Sequence, residues 1–487
     1  MKTVPRAPSP ELQTVKALSR LFPPSPGSAG AGASCRKEVF EVLAPHLPQW
    51  ISRPKAAPTA VLSALARERR ADLAELVLIF MLESGVPVDV YHCNSVITAC
   101  EKGRNWQRAL ELIGEMPRMR VTPDEVSYNA AISACEKCGH WQLALGLFGS
   151  MPGARLTPQE ISCNAAISAC DKGGQWQLAL ALLSSMPALR LAPNRVTYGA
   201  AISACSRGSQ WQVALDLMNQ VSVRTDPISF SATISACEKG GQWHLALGLL
   251  HEMPQVRAVP NEISYSAAIS ACEKAGSWQL ALELLSSMPD VRLAPNEISF
   301  SAAISACEKG GQWQIALLLL SSMPSLSASP NVISYNAAIS ACSKGGQWQL
   351  ALGLLCSMPG LSLEPSEISY GAAISACGQM CGQWQIAIGL LRAMSEIKLS
   401  PHEISYNAAI SACEKGGQWQ LALNLLSLMF EARVAPDETT YTAAISACEK
   451  GGQWAVAVSL LGEQSAESLN LLVAVRQQKL EEQHFMT

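Results

Sequence analysis

Apolar residues between Glu125 and Gln159 fall in two short runs, each with the period of a helix buried along one side. In the first, Tyr128, Ala131, Ile132 and Cys135 stand at i, i+3, i+4 and i+7, which predicts a helix A over about Ser127 to Lys137. Cys138-Gly139-His140 interrupts it; most equivalent segments read Gly-Gly-Gln, as in Gly173-Gly174-Gln175. The second run begins at Trp141 and carries Leu143, Ala144, Leu147 and Met151, which predicts a helix B that Pro152 and Pro158 prevent from continuing. Ala131, Ala134 and Ala144 leave room for close helix approach, and Trp141 fills a larger gap.

This hairpin recurs. Trp106, Trp141, Trp176 and Trp211 are each 35 residues apart; Trp243, Trp278, Trp313 and Trp348 keep that step, as do Trp384, Trp419 and Trp454. Trp211 to Trp243 is three residues short, near Val221–Asp226 between units, and Trp348 to Trp384 is one long, in the turn Gly378–Gln383. Turns tolerate such length changes. The expected fold is an all-α solenoid superhelix of helix-turn-helix repeats of about 35 residues, eleven of them over residues 90–464. Residues 55–89 are expected to form a degenerate capping repeat without the tryptophan, with helices over Ala60–Arg67 and Leu73–Leu82. Residues 465–487 are expected to close the other end with a polar amphipathic helix over Ala466–Gln483 and a tail. Residues 1–54, with Pro23-Pro24-Ser25-Pro26-Gly27-Ser28, read as a disordered N-terminal segment.

Composition narrows the function. The chain has 487 residues, 49% hydrophobic and 15% charged, with a formal net charge of −3. That balance argues against indiscriminate attraction to nucleic acid, so any such binding must use local charge. No run of about twenty apolar residues occurs, so no membrane-spanning helix and no membrane partner is expected. Of the 17 cysteines, Cys100, Cys135, Cys170, Cys205, Cys237, Cys272, Cys307, Cys342, Cys377, Cys413 and Cys448 share one position of the repeat. Stacked helices stand roughly 9–10 Å apart and a disulfide needs Cα atoms within about 7 Å. These thiols therefore read as small buried apolar groups in a reducing compartment. Cys377 and Cys381 lack a nearby histidine pair, and no zinc constellation, glycine-rich phosphate loop or nucleophile triad is visible. No metal, cofactor or catalysis is expected.

The segment Val126-Ser-Tyr-Asn-Ala-Ala-Ile132, the 35-residue period and the closing Pro-Asp or Pro-Asn resemble a P-class pentatricopeptide repeat, and the resemblance covers about Lys55 to Gln464. The tryptophan that opens helix B departs from the family, which usually has a smaller aliphatic residue there. The resemblance implies an organellar protein that binds single-stranded RNA at one base per repeat and serves RNA processing, stabilisation or translation beside other RNA-processing proteins. It also assigns roles. The second residue of each unit flanks a base: Val126, Ile161, Val196, Ile228, Ile263, Ile298, Ile333, Ile368 and Ile404. On the residues alone, a hydrophobic staple at helix entry accounts for these equally well.

The fifth and last residues are the base-reading pair. The fifth reads Asn94, Asn129, Asn164, Gly199, Ser231, Ser266, Ser301, Asn336, Gly371, Asn407 and Thr442. The last reads Asp124, Gln159, Asn194, Asp226, Asn261, Asn296, Asn331, Ser366, His402 and Asp437. Variation confined to these places in near-identical units suits a reader, while helix capping by Asn, Ser and Asp is the plainer alternative. By the family's code, Asn94 with Asp124 and Asn407 with Asp437 favour uracil. Ser231 with Asn261, Ser266 with Asn296 and Ser301 with Asn331 favour adenine. Asn164 with Asn194 and Asn336 with Ser366 lean to a pyrimidine, and pairs containing Gly199, Gly371 or His402 stay unread. The implied footprint is U-?-Y-?-A-A-A-C-?-U.

A ladder of Lys102, Lys137, Lys172, Arg207, Lys239, Lys274, Lys309, Lys344, Lys415 and Lys450 near the end of helix A is the family's phosphate-contacting position. Glu136 and its equivalents dilute its field, and a helix-end charge favoured by the macrodipole is the alternative. A protein-binding scaffold without RNA competes with the RNA reading, since solenoid grooves also hold peptides. Lys2, Arg6, Lys16 and Arg20 against Glu11 fit an organelle transit peptide for a plastid or mitochondrion.

Overall fold

The computed structural model describes residues 14–15, 17–19, 33–220, 226–379 and 383–459, and every regular element among them is a helix. The fold is an α-solenoid of tandem hairpins. In the tryptophan-bearing hairpins helix A has thirteen residues, as in Glu125–Lys137, and helix B opens on the tryptophan, as in Trp141–Ser150. The chain divides into two compact units. The first holds the described residues up to Gly240 with Met253–Ala258, and the second holds Gly241–Glu252 and the described residues from Val259 onward. Within each, successive A helices pack side by side with the B helices against them.

Each A helix of the tryptophan-bearing hairpins buries the same four positions. Ala131, Ile132, Ala134 and Cys135 in the first unit, and Ala338, Ile339, Ala341 and Cys342 in the second, are fully buried. Alanine and cysteine let helix axes approach to roughly 8–10 Å, and each buried isoleucine contributes about 1.5–3 kcal/mol. Burial pushes the Cys135 thiol up to about 11 and Cys100 to about 12, so these thiols stay protonated and serve as packing groups. Leu143 differs from expectation: it is 39% exposed, and Ala144 and Met151 carry the buried side of that helix.

The Gly-Gly turn follows from the tryptophan. A Cβ on Gly173 would lie 2.2 Å from Cδ1 of Trp141, so the preceding hairpin's indole occupies the place of a side chain. Gly174 has φ +68°, a left-handed conformation that glycine adopts without a Cβ clash. Gly208 against Trp176 and Gly345 against Trp313 repeat the arrangement. The large indole thus fixes one hairpin to the turn of the next.

One expectation is overturned. Residues 33–52, read as disordered, form helices Ala33–Leu43 and Leu47–Ser52 around a short 3-10 turn. Val39 and Leu43 are fully buried and Trp50 nearly so. Phe40 and Trp50 meet Phe80 edge-on, with ring centroids 5.0 and 5.9 Å away. The Pro/Ser/Gly run dominated the composition, yet Val39, Leu43 and Trp50 supply a helical stripe immediately after it. That run itself, and most of the basic leader, lie outside the described residues. The hairpin that follows has helices Ala56–Arg67 and Ala71–Glu83, each longer than the pattern suggested. Pro58 sits in a first turn, where proline is tolerated. The last hairpin is described only to Ser459, so the helix expected over Ala466–Gln483 lies outside the described residues.

Candidate nucleic-acid interface

The start of helix A builds the site. The last residue of each unit is the N-cap of the next helix A, with extended backbone; at the Asp, Asn and Ser caps its side chain accepts from the amide three residues on, whereas Gln159 and His402 make no such bond. Asp124 caps Ser127 at 2.9 Å, Asn194 caps Thr197 at 3.0 Å and Asn296 caps Ser299 at 2.9 Å. Each is a reciprocal capping box. The capping alternative is therefore a fact of the fold, and it leaves the second polar atom of each side chain to other use.

The fold brings the fifth residue of one unit onto that cap. Asn94 Nδ2 donates to Asp124 Oδ1 at 3.0 Å, Asn407 Nδ2 to Asp437 Oδ1 at 3.1 Å and Asn336 Nδ2 to Ser366 Oγ at 3.3 Å. Ser266 and Ser301 approach Asn296 and Asn331 at 3.4 and 3.5 Å. Asn164 and Asn194 do not bond directly; Thr197 Oγ1 joins them, donating to Asn164 Oδ1 at 2.6 Å. Not every pair is assembled. Asn129 Oδ1 is buried with no hydrogen-bond partner among the described residues. Asp226 is buried and ion-paired with Arg195 opposite Gly199. His402 Nδ1 meets Ser405 Oγ at 3.1 Å opposite Gly371.

A third residue completes the junction, and sequence reasoning missed it. Ser127, Thr197, Ser369 and Thr440 are fully buried, and their hydroxyls donate to the fifth asparagine of the preceding unit at 2.5 to 2.6 Å. This fixes the amide so that Nδ2 faces the cap. Where the fifth residue is serine, the hydroxyl turns back: Ser264, Ser299 and Ser334 donate to the carbonyls of Asn261, Asn296 and Asn331 at 2.8 to 3.0 Å. A Ser or Thr in the third place of nearly every unit was the available signal.

The flanking residues stand out in solvent. Val126, Ile161, Val196, Ile228, Ile263, Ile298, Ile333, Ile368 and Ile404 are 55 to 69% exposed, and Tyr91 holds the same place in the first hairpin at 70%. A staple would bury them; they are not buried. In the second unit, Asn296 and Ile298 line an open recess of about 390 Å³ together with Glu262, Glu297 and Ser327.

Models of this repeat match most of the array. The one described as a pentatricopeptide repeat domain matches residues 76–137, 147–207, 214–275 and 264–310. A second, the PPR repeat family, matches 330–379 and 401–450, and a third, PPR repeat, matches 126–156, 298–327 and 439–463. The chain belongs to the pentatricopeptide repeat family. No curated protein matches it. Among solved structures it is similar to the pentatricopeptide repeat protein PPR10 from maize, at 22% identity and TM-score 0.46 over 94% of this chain and 68% of that one. PPR10 in complex with an 18-nt psaJ RNA element matches at 18% identity and TM-score 0.51 over 94% and 81%, a likeness of fold. Yeast Rmd9p in complex with a 16-nt target RNA aligns over 94% and 96% at 9% identity and TM-score 0.30, too low to carry an argument.

In this pentatricopeptide array the lysine ladder is not a row of free cations. Lys137 Nζ lies 2.7 Å from Glu101, Lys172 2.6 Å from Glu136 and Arg207 2.8 Å from Asp171 in the first unit. In the second, Lys309, Lys344 and Lys450 meet Glu273, Glu308 and Glu414 at 2.6 to 2.8 Å. Ser133, Ser168 and Ser446 hydroxyls join the same carboxylates at 3.0, 2.9 and 2.7 Å. Burial alone would raise the Glu414 carboxyl, but the Lys450 and Ser446 hydrogen bonds outweigh it and hold the group below its ordinary value. Lys102 and Lys239 have no ion pair among the described residues, because Ala66 and Ser206 stand where the partner acid would be. Lys274 and Lys415 also have partners. The diluting acid inferred from sequence is thus a direct partner, supplied by the preceding hairpin.

Proposed function

We propose that this chain binds single-stranded RNA with each hairpin addressing one base, in the maturation, stabilisation or translation of organellar transcripts. One observation carries this reading: a polar fifth residue facing a polar cap, beside an exposed aliphatic side chain, recurs at most steps of the array. An unstacked base fits such a step, its face against Val or Ile and its Watson–Crick edge against the polar pair. PPR10, solved in complex with RNA, lends the reading a precedent.

The hydrogen-bond inventory explains the code in physical terms. Capping uses Oδ1 of Asp124, leaving Oδ2 to accept from N3–H of uracil. Capping likewise uses Oδ1 of Asn296, leaving Nδ2 to donate to N1 of adenine. The short Ser266 leaves room for a purine, and the longer Asn94 fits a pyrimidine. Equilibrium binding of a short RNA with the footprint U-?-Y-?-A-A-A-C-?-U, against one whose central adenines are replaced, tests this. The expected outcome is preference for the adenine run; no binding of either at modest ionic strength would sink the RNA reading.

A second reading, a protein-binding scaffold, draws on the ion-paired ladder and the net charge of −3. Capture of partners with and without ribonuclease treatment separates the two. Loss of partners after treatment supports RNA.

A further inference from the structure

A second row of cations, unused so far, runs through the loops between hairpins. It includes Arg120, Arg155 and Arg190 in the first unit and Arg292, Lys398 and Arg433 in the second, all exposed. None has an ion pair among the described residues, in contrast to the lysine ladder. Each also has φ between +57° and +61°, a left-handed backbone that a residue with a Cβ adopts only at a cost. Glycine would hold these turns without strain, so repeated use of a long basic side chain there points to what the side chain does.

Position supplies the rest. Ser327 has the same left-handed backbone and stands in the row's place, and it lines the recess that holds Asn296 and Ile298. By the repeat, Arg155 stands on the rim of the Asp124 and Val126 step, and Arg190 on that of Gln159 and Ile161. Glu262 and Glu297 line the same recess, so an entering nucleotide meets negative charge unless a rim cation offsets it. Where serine replaces the cation, at Ser327 and Ser362, that offset is missing.

We propose that these loop arginines, rather than the paired helix-end lysines, are the phosphate-contacting row for the bound strand. The inference rests on the RNA reading above. It accounts for binding by an acidic chain, since the charge that matters stands beside most base steps and has no ion pair among the described residues.

The test uses the full chain and the triple variant Arg120→Gly, Arg155→Gly, Arg190→Gly, with a short single-stranded RNA carrying the footprint above as probe. Glycine suits the left-handed turns, so the variant's thermal midpoint should equal or exceed that of the parent. Affinity is measured as salt rises from about 50 to 200 mM. Each lost phosphate contact reduces the slope of log K against log salt by about 0.7 for a single strand, so the variant's slope should be shallower by about 2. The triple Arg→Lys variant should keep the parental slope. An unchanged slope in the glycine variant overturns the proposal while leaving RNA binding intact. Failure of the parent chain to bind the probe removes the RNA reading itself, and this inference with it.

Discussion

Junctions with an asparagine in the fifth place and junctions with a serine there share one backbone but distribute their hydrogen bonds differently. At Asn94, Asn164, Asn336 and Asn407 a buried hydroxyl crosses from one hairpin to the next and fixes the amide. At Ser266 and Ser301 the hydroxyls of Ser299 and Ser334 close their own turns, and Ser266 bonds back to Glu262 at 2.7 Å. The first type is a rigid three-residue network spanning two hairpins. The second leaves a shorter side chain and a larger opening. Under the proposed RNA reading, that one residue sets both the size of the base admitted and the hydrogen bonding of the step.

Exchanging the two types is expected to have the largest effect. Asn94→Ser keeps the free Asp124 oxygen but opens space, so the step should turn from uracil to guanine, whose N1–H also donates. Ser266→Asn should turn the facing step from adenine to cytosine. Each exchange should shift relative affinity by about 1–3 kcal/mol at one base. Binding to RNAs that differ only at that base checks it, and an unchanged preference would detach the fifth residue from base choice.

Removing the buried hydroxyl comes next. Ser127→Ala strands Asn94 Oδ1, whose residue is only 7% exposed, and should cost about 1–3 kcal/mol in chemical denaturation. Ser162→Ala is the internal control. Asn129 Oδ1 already lacks a partner there, so only the bond accepted from the Gln159 amide at 2.8 Å is lost. That cost should stay near the 1 kcal/mol of an ordinary cap. Equal costs would show that the inter-hairpin bond adds nothing.

These two effects separate what the chain announces from what it conceals. The hairpin and its period were legible because each lies within one unit, where spacing alone places it; the same count locates the fifth and last residues at the junction without assigning them a role. The helices over 33–52 were not, because the Pro/Ser/Gly run before them outweighed the spacing of Val39, Leu43 and Trp50. Ser127 was missed for another reason: its partner Asn94 lies 33 residues away in the neighbouring hairpin. Lys137 and Glu101, 36 residues apart, show the same limit. A charge ladder and its neutralising acids are both visible in sequence, but only lateral stacking shows that they pair with each other.

A smaller effect is expected from that ladder. Lys137→Met with Lys172→Met removes two cations but also releases Glu101 and Glu136. Partly exposed pairs of this kind contribute about 0–1 kcal/mol each, so stability should fall only slightly. The salt dependence of RNA binding should stay within about 0.5 of the parental slope, against the much larger change expected from the loop arginines. A drop of more than about 1 would return the phosphate role to the lysines.

The smallest effect distinguishes Asp caps from Asn caps by pH. Burial alone would raise the Asp437 carboxyl, but the Thr440 hydroxyl and amide and the Thr439 hydroxyl outweigh it and hold the group well below the ordinary carboxylate value. A carboxyl lowered on folding stabilises the fold above its unfolded value, about 3.9, and that contribution fades as pH falls through the lower folded value. The Thr440 amide should therefore stay protected from exchange as pH drops to about 4 and lose protection only below it. The equivalent Ser299 amide, capped by the neutral Asn296 at 2.9 Å, should show no such step. Amide exchange measured residue by residue across that range decides the point, because loss of both amides together would report global unfolding rather than titration of one cap.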